Sequence, residues 1–167
     1  MLSTFNMCLG DSITELFVAA GVSGLMATSP TGDVWTSRTS SFGTDMIICL
    51  AYGNNLFVAV GGNGKIATSS DGITWTQRTN PFGTLTVYGV CYGNGLFVAV
   101  GQSGRLATSP DGITWTQRTS GFGTSGISNV CYGNNLYVAV SDTNKIYTSV
   151  NGITWTKRAG GFGSSLI

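Results

Sequence analysis

The 167-residue chain contains no histidine and a single glutamate, Glu15, and only 9% of its residues are charged. Without histidine the commonest general base of hydrolytic and transfer chemistry is missing. A glycosidase would need a second carboxylate roughly 5–9.5 Å from the first. Only Asp11, Asp33 and Asp45 offer themselves as partners for Glu15, and each reads better as a surface turn acid. With a net charge of +1 there is no basic stripe to neutralise a run of phosphates, which argues against nucleic-acid binding. No apolar run reaches the roughly 18 residues of a membrane span. The first residues, Met1 to Phe17, lack a basic n-region and a long apolar h-region, so no signal peptide is evident. Cys8, Cys49, Cys91 and Cys131 form no Cys-x-x-Cys pair. They are expected to be buried, reduced thiols in apolar strands, not metal ligands. No metal and no cofactor is expected. Cytosolic synthesis follows from these absences as an expectation that leaves the destination open, a virion or cell surface included.

What the chain has in quantity is glycine, 25 residues, within a composition that is 42% hydrophobic. Little charge with this much apolar content describes a folded core, not a disordered segment. Glycine mixed with Thr, Ser, Val and aromatics suits many short strands joined by tight turns.

The strongest signal is an internal repeat. Trp35, Trp75, Trp115 and Trp155 recur at intervals of 40 residues, as do Arg38, Arg78, Arg118 and Arg158, and Phe42, Phe82, Phe122 and Phe162. The apolar pairs beginning at Leu16, Leu56, Leu96 and Leu136 keep the same spacing. The third unit predicts strands over 87–92, 96–100, 105–109 and 114–118, with turns at Gly93-Asn94-Gly95, Gly101 to Gly104 and Pro110-Asp111-Gly112. Four strands in about 40 residues, repeated, predict an all-β fold, a β-propeller of four-stranded antiparallel blades with four blades in the chain. A β-solenoid is the rival, but its coils are usually shorter and lack consecutive tight hairpins. No linker interrupts the pattern, so residues 1–167 read as one repeat domain with units near 3–42, 43–84, 85–124 and 125–163.

The turn before each fourth strand carries the most specific motif, Ser69-Ser70-Asp71-Gly72-Ile73-Thr74-Trp75 and Ser109-Pro110-Asp111-Gly112-Ile113-Thr114-Trp115. It resembles the Asp-box, or BNR-like, repeat on the blades of sialidases and sortilin-type receptors. The resemblance implies a propeller, and a structural role in which Asp71 and Asp111 cap turn amides while Trp35, Trp75, Trp115 and Trp155 pack beneath. The sequence departs from the commoner motif, which has one more residue between Asp and Trp. Unit four has Asn151 for the acid, and unit one displaces it to Asp33. Fold resemblance of this kind does not carry an activity.

A sialidase site would need three convergent arginines with a Tyr, a Glu and an acid. Arg38, Arg78, Arg118 and Arg158 recur once per blade, so symmetry spreads them around a ring instead of gathering them. The expectation is therefore a non-enzyme without catalytic residues. The four arginines are either solvated edge groups whose stems cover an aromatic or repeated contacts to an acidic or sugar ligand. Lys65, Arg105 and Lys145 recur at the turn into the third strand and read as solubilising groups. Two functional classes follow: a structural, self-assembling module such as a phage, viral or bacterial surface component, and a lectin-like or protein-binding module with one weak site per blade. Ile167 aligns with Met7, so each blade reads as whole, and the small residues Val90, Cys91, Val98, Ala99, Val100 and Gly101 make thin blades. Thin, whole blades favour an arc closed head to tail by a second copy into an eight-bladed homodimer over a four-bladed monomer.

Overall fold

The structure is a computed structural model and describes residues 6–9 and 16–159. Among the described residues sixteen strands form four antiparallel sheets, each a simple meander of four consecutive strands. Blade one holds β1 (Asn6–Leu9), β2 (Phe17–Ala20), β3 (Leu25–Ser29) and β4 (Thr36–Thr39). Blade two holds β5 (Ile47–Gly53), β6 (Leu56–Gly61), β7 (Ile66–Ser69) and β8 (Thr76–Arg78). Blade three holds β9 (Val87–Gly93), β10 (Leu96–Gly101), β11 (Leu106–Ser109) and β12 (Thr116–Arg118). Blade four holds β13 (Ile127–Gly133), β14 (Leu136–Ser141), β15 (Ile146–Ser149) and β16 (Thr156–Arg158). The first strands of successive blades, β1, β5, β9 and β13, pack beside one another and form the inner rim.

The fourth strands are shorter than the sequence predicts, and the turn explains why. Oδ1 of Asp111 accepts the amides of Ile113 and Thr114 at 2.9 and 2.7 Å. These two residues are thereby held in the turn, and pairing starts only at Thr116 opposite Thr108. The third strand starts at Leu106, because Arg105 closes a 3-10 turn over Gln102–Gly104.

Side chains alternate across each pleat. Phe57, Ala59 and Ala67 face the preceding blade, while Val58, Val60 and Ile66 face the next. Each joint between blades is a separate apolar cluster. The first joins Val18, Ala20 and Met26 to Phe57, Ala59 and Trp75, and the second joins Val58, Val60 and Ile66 to Phe97, Ala99 and Ala107. The third joins Val98, Val100 and Leu106 to Tyr137, Ala139 and Tyr147. Four blades thus share three joints among the described residues. The faces at the two ends of the chain are correspondingly open. Val58, Val60, Val98 and Val100 are fully buried, but their counterparts Val138 and Val140 on blade four are only half-buried. On blade one, Phe17, Ala19 and Ala27 are half-buried, and Trp35 is 39% exposed against 8% for Trp75.

Three sequence expectations need correction. Met7 does not take the place of Ile47. It pairs with Ala19 just as Leu50 pairs with Ala59, so the β1–β2 hairpin is three residues longer than its counterparts. Ile167, Phe162 and Glu15 lie outside the described residues. The thiols are not uniformly buried: Cys49 and Cys91 are half-buried and Cys131 is exposed. Strand β5 lies against β9 and β9 against β13, but no further blade of the described residues covers β13. Burial pushes the Cys91 thiol up to about 12, with the neighbouring Cys131 and Cys49 adding to the rise. Finally, Lys65 and Lys145 are not merely solubilising. Their Nζ atoms donate to the carbonyls of Phe42 and Phe122 at 2.7 and 3.0 Å, tying each blade to the linker that leads into it.

Candidate functional site: the clefts between blades

The Asp-containing turn is built as a capped loop. Oδ1 of Asp71 accepts the amides of Ile73 and Thr74, each at 2.8 Å, and the Ser69 hydroxyl donates to the same oxygen at 2.8 Å. Asp111 repeats the arrangement with Ser109, Ile113 and Thr114. Asn151 reproduces it with a neutral amide, its Oδ1 accepting from Ile153 and Thr154 at 2.9 Å. In blade one the acid is displaced, and Ser29 Oγ instead accepts from Gly32 N at 2.8 Å. Each turn also anchors its tryptophan, because Nε1 of Trp35, Trp75, Trp115 and Trp155 donates to the carbonyl of Gly32, Gly72, Gly112 and Gly152. The glycine is required twice over. Gly72 has φ +71, and a Cβ there would lie 2.7 Å from Leu16 Cδ2 of the preceding blade.

The amide of Thr74, ahead of that of Ile73, holds the Asp71 carboxyl down at about 2. Asp111 is lowered for the same reason. A carboxyl whose folded pKa lies below its unfolded value of about 3.9 stabilises above that value and loses the contribution as pH falls through the folded pKa. Stability is therefore expected to fall between about pH 4 and 2. Asp71→Asn combined with Asp111→Asn should keep the turns, as Asn151 does, and flatten that loss. Melting temperatures of parent and double variant from pH 7 to 2 check this.

The structure brings together arginines and tryptophans that the sequence left separate, and it does so across the joints. One open cleft of about 540 Å³ lies between blades two and three, lined by Gln77, Arg78, Asn80, Ile113, Thr114 and Trp115 among others. Its counterpart between blades one and two, about 470 Å³, is lined by Arg38, Ser41, Ile73, Thr74 and Trp75 among others. Each arginine is fixed through Nε, which donates to Thr28, Thr68, Thr108 or Thr148 Oγ1 at 2.7–2.9 Å. Arg38 and Arg78 line separate clefts, and no group of three or more His, Cys, Asp or Glu able to hold a metal is found among the described residues. Sequence reasoning found both residue types but missed their pairing. The 40-residue spacing places them on the same blade, whereas each cleft is lined by the Arg of one blade and the Trp of the next.

Residues 7–135 match the DUF6242 beta propeller domain. The chain belongs to that family. No curated protein matches the sequence. Solved structures similar to this DUF6242 domain include YCF48 bound to D1 peptide, at 20% identity and a TM-score of 0.72, covering 93% of this chain and 55% of that one. Virginiamycin B lyase from Staphylococcus aureus is similar at 14% identity and a TM-score of 0.83, covering 98% and 58%. The computationally designed Ika8 protein is similar at 12% identity and a TM-score of 0.71, covering 98% and 51%. At these identities the likeness establishes the propeller fold alone. The DUF6242 chain spans little more than half the length of each.

Proposed function

We propose that this chain is a non-catalytic, structural propeller module that completes its ring by joining a second copy head to tail. One observation carries the reading: the face of blade four that holds Val138, Val140 and Ile146 and the face of blade one that holds Phe17, Ala27 and Trp35 are both open, and they are the two halves of the joint formed three times inside the chain. Gly32 marks the vacancy. Gly72, Gly112 and Gly152 each receive a leucine and a valine of the preceding blade, whereas Gly32 has only its own blade's Phe17 within 4 Å. Leu136 and Val138 of a second copy have the chemistry to fill that seat. Burying side chains of this size contributes about 1.5–3 kcal/mol each. A contact of this head-to-tail type either closes or runs on as a filament.

The non-enzymatic part of the reading rests on the missing histidine and the spread of the arginines. The lyase likeness is weak support for an activity here, because its catalytically inactive form is a histidine variant. The capped Asp71 and Asp111 turns support the Asp-box reading of the repeat. Light scattering at micromolar concentration should give about twice the 17.4 kDa of one chain, and Val140→Glu should return it to one. A mass of one chain that dilution and Val140→Glu leave unchanged sinks the proposal.

A further inference from the structure

Eight basic side chains serve this chain, and the structure uses them in two different ways. The ammonium groups of Lys65 and Lys145 are consumed internally: both donate to linker carbonyls, and Lys65 also pairs with Asp45 at 2.8 Å. That pair is the one salt bridge among the described residues. The cleft arginines are different. Arg38, Arg78 and Arg118 are half-buried, each is fixed by its Nε to a buried threonine hydroxyl, and no carboxylate among the described residues pairs with any of them. A guanidinium held through Nε keeps its two Nη groups as a fixed fork suited to bidentate capture of a carboxylate. The acids nearest in sequence to the cleft lining, Asp71 and Asp111, are taken up by their own turn amides.

The rest of the cleft decides what carries that carboxylate. A sugar ligand would want an open aromatic face on which to stack. The indoles do not offer one: Trp75 is buried, and Trp75 and Trp115 pack against Phe57 and Phe97 with ring centroids 6.4 and 6.5 Å apart. What the cleft does offer is an edge. Strand β8 is the outermost strand of its sheet and pairs only with β7. One edge of its backbone therefore has no strand partner, which is the geometry that accepts an added extended strand. Ile73 and Ile113, both 42% exposed, stand across the cleft as apolar contacts. An extended peptide turns alternate side chains to one face, so acidic and apolar residues in alternation would meet the fork and the isoleucine together.

We propose that the clefts between blades are binding sites for an extended acidic peptide segment, with Arg38 and Arg78 as the carboxylate forks, Ile73 and Ile113 as the apolar contacts, and Arg118 in the equivalent place at the third joint. The sites lie within one chain, so they do not depend on whether two copies join. Arg158 and Trp35, at the open ends, lack a neighbour to complete a cleft in the single chain.

The test is fluorescence anisotropy with a labelled eight-residue peptide that alternates glutamate and valine. Saturable binding is expected. The same peptide with glutamine for glutamate should bind at least tenfold more weakly. The triple variant Arg38→Gln, Arg78→Gln, Arg118→Gln should lose affinity by the same factor while Arg105→Gln, outside the clefts, does not. Absence of binding, equal binding of the two peptides, or an equal loss in Arg105→Gln would overturn the proposal. Tighter binding of oligogalacturonate than of the peptide would overturn it in favour of an acidic glycan. The peptide comparison uses the parent protein, so the test stands even if the triple variant fails to fold.

Discussion

Trp75→Ala is expected to lower the free energy of unfolding by about 3–5 kcal/mol, and Trp35→Ala, at the same place in the repeat, by under about 1 kcal/mol. The two tryptophans make the same hydrogen bond, Nε1 to a turn carbonyl at 3.0 Å. They differ in what covers them. Trp75 is 8% exposed and sits in the joint with Val18, Ala20, Met26 and Phe57 from two blades. Trp35 is 39% exposed, with no other blade of the described residues packed on its face. Removing the first indole leaves a cavity between blades, whereas removing the second mostly uncovers surface already wet. At about 2–4 °C per kcal/mol for a chain of this size, Trp75→Ala should melt roughly 6–20 °C below the parent. Differential scanning calorimetry at low protein concentration, where copies stay apart, reads the contrast. Equal losses for both would mean that hydrogen bonding of the turn, not packing between blades, is what the tryptophans supply.

The contrast also marks how far the sequence carries. The strand count, the meander order and the turn motif follow from local rules: the continuous apolar run Leu96 to Val100, Asn-Gly and Asp-Gly turns, and a 40-residue period. Those rules act within one unit and are legible residue by residue. What the sequence left hidden is set between units. Trp35 and Trp75 are identical in sequence, as are Cys91 and Cys131, yet each pair divides by exposure according to whether a neighbouring blade exists. That Arg78 and Trp115 line one cleft is invisible for the same reason, since they belong to different blades and the period does not align them. The longer first hairpin was hidden differently. A fixed period assigns Met7 to Ile47, and only hydrogen-bond register shows it opposite Ala19.

Gly93→Ala is expected to destabilise the chain by about 3 kcal/mol or more, and Gly133→Ala to stay within about 0.5 kcal/mol of the parent. Both glycines close a first strand in extended backbone, opposite Leu96 and Leu136. Alanine is therefore permitted by the backbone at each, and the difference must come from what lies above. A Cβ on Gly93 would lie 2.1 Å from Cγ of Tyr132, the inner-strand tyrosine of the next blade. That atom lies on the axis about which the ring flips, so turning the ring in place does not clear it. Either β13 moves away from β9 or the tyrosine leaves its place. Moving β13 also disturbs Tyr137, whose hydroxyl crosses the same joint to donate to the carbonyls of Gly93 and Leu96. Gly53 stands in the same relation to Tyr92, again at 2.1 Å, so Gly53→Ala should behave as Gly93→Ala does. Gly133 has nothing within 4 Å of the added methyl among the described residues. Chemical denaturation of the three variants at low concentration measures the order. Gly93→Ala and Gly53→Ala should unfold at lower denaturant than the parent, and Gly133→Ala at the same midpoint. A loss at Gly133 equal to that at Gly93 would mean that the cost arises inside the strand, and the blades would then not be seated on one another through these glycines.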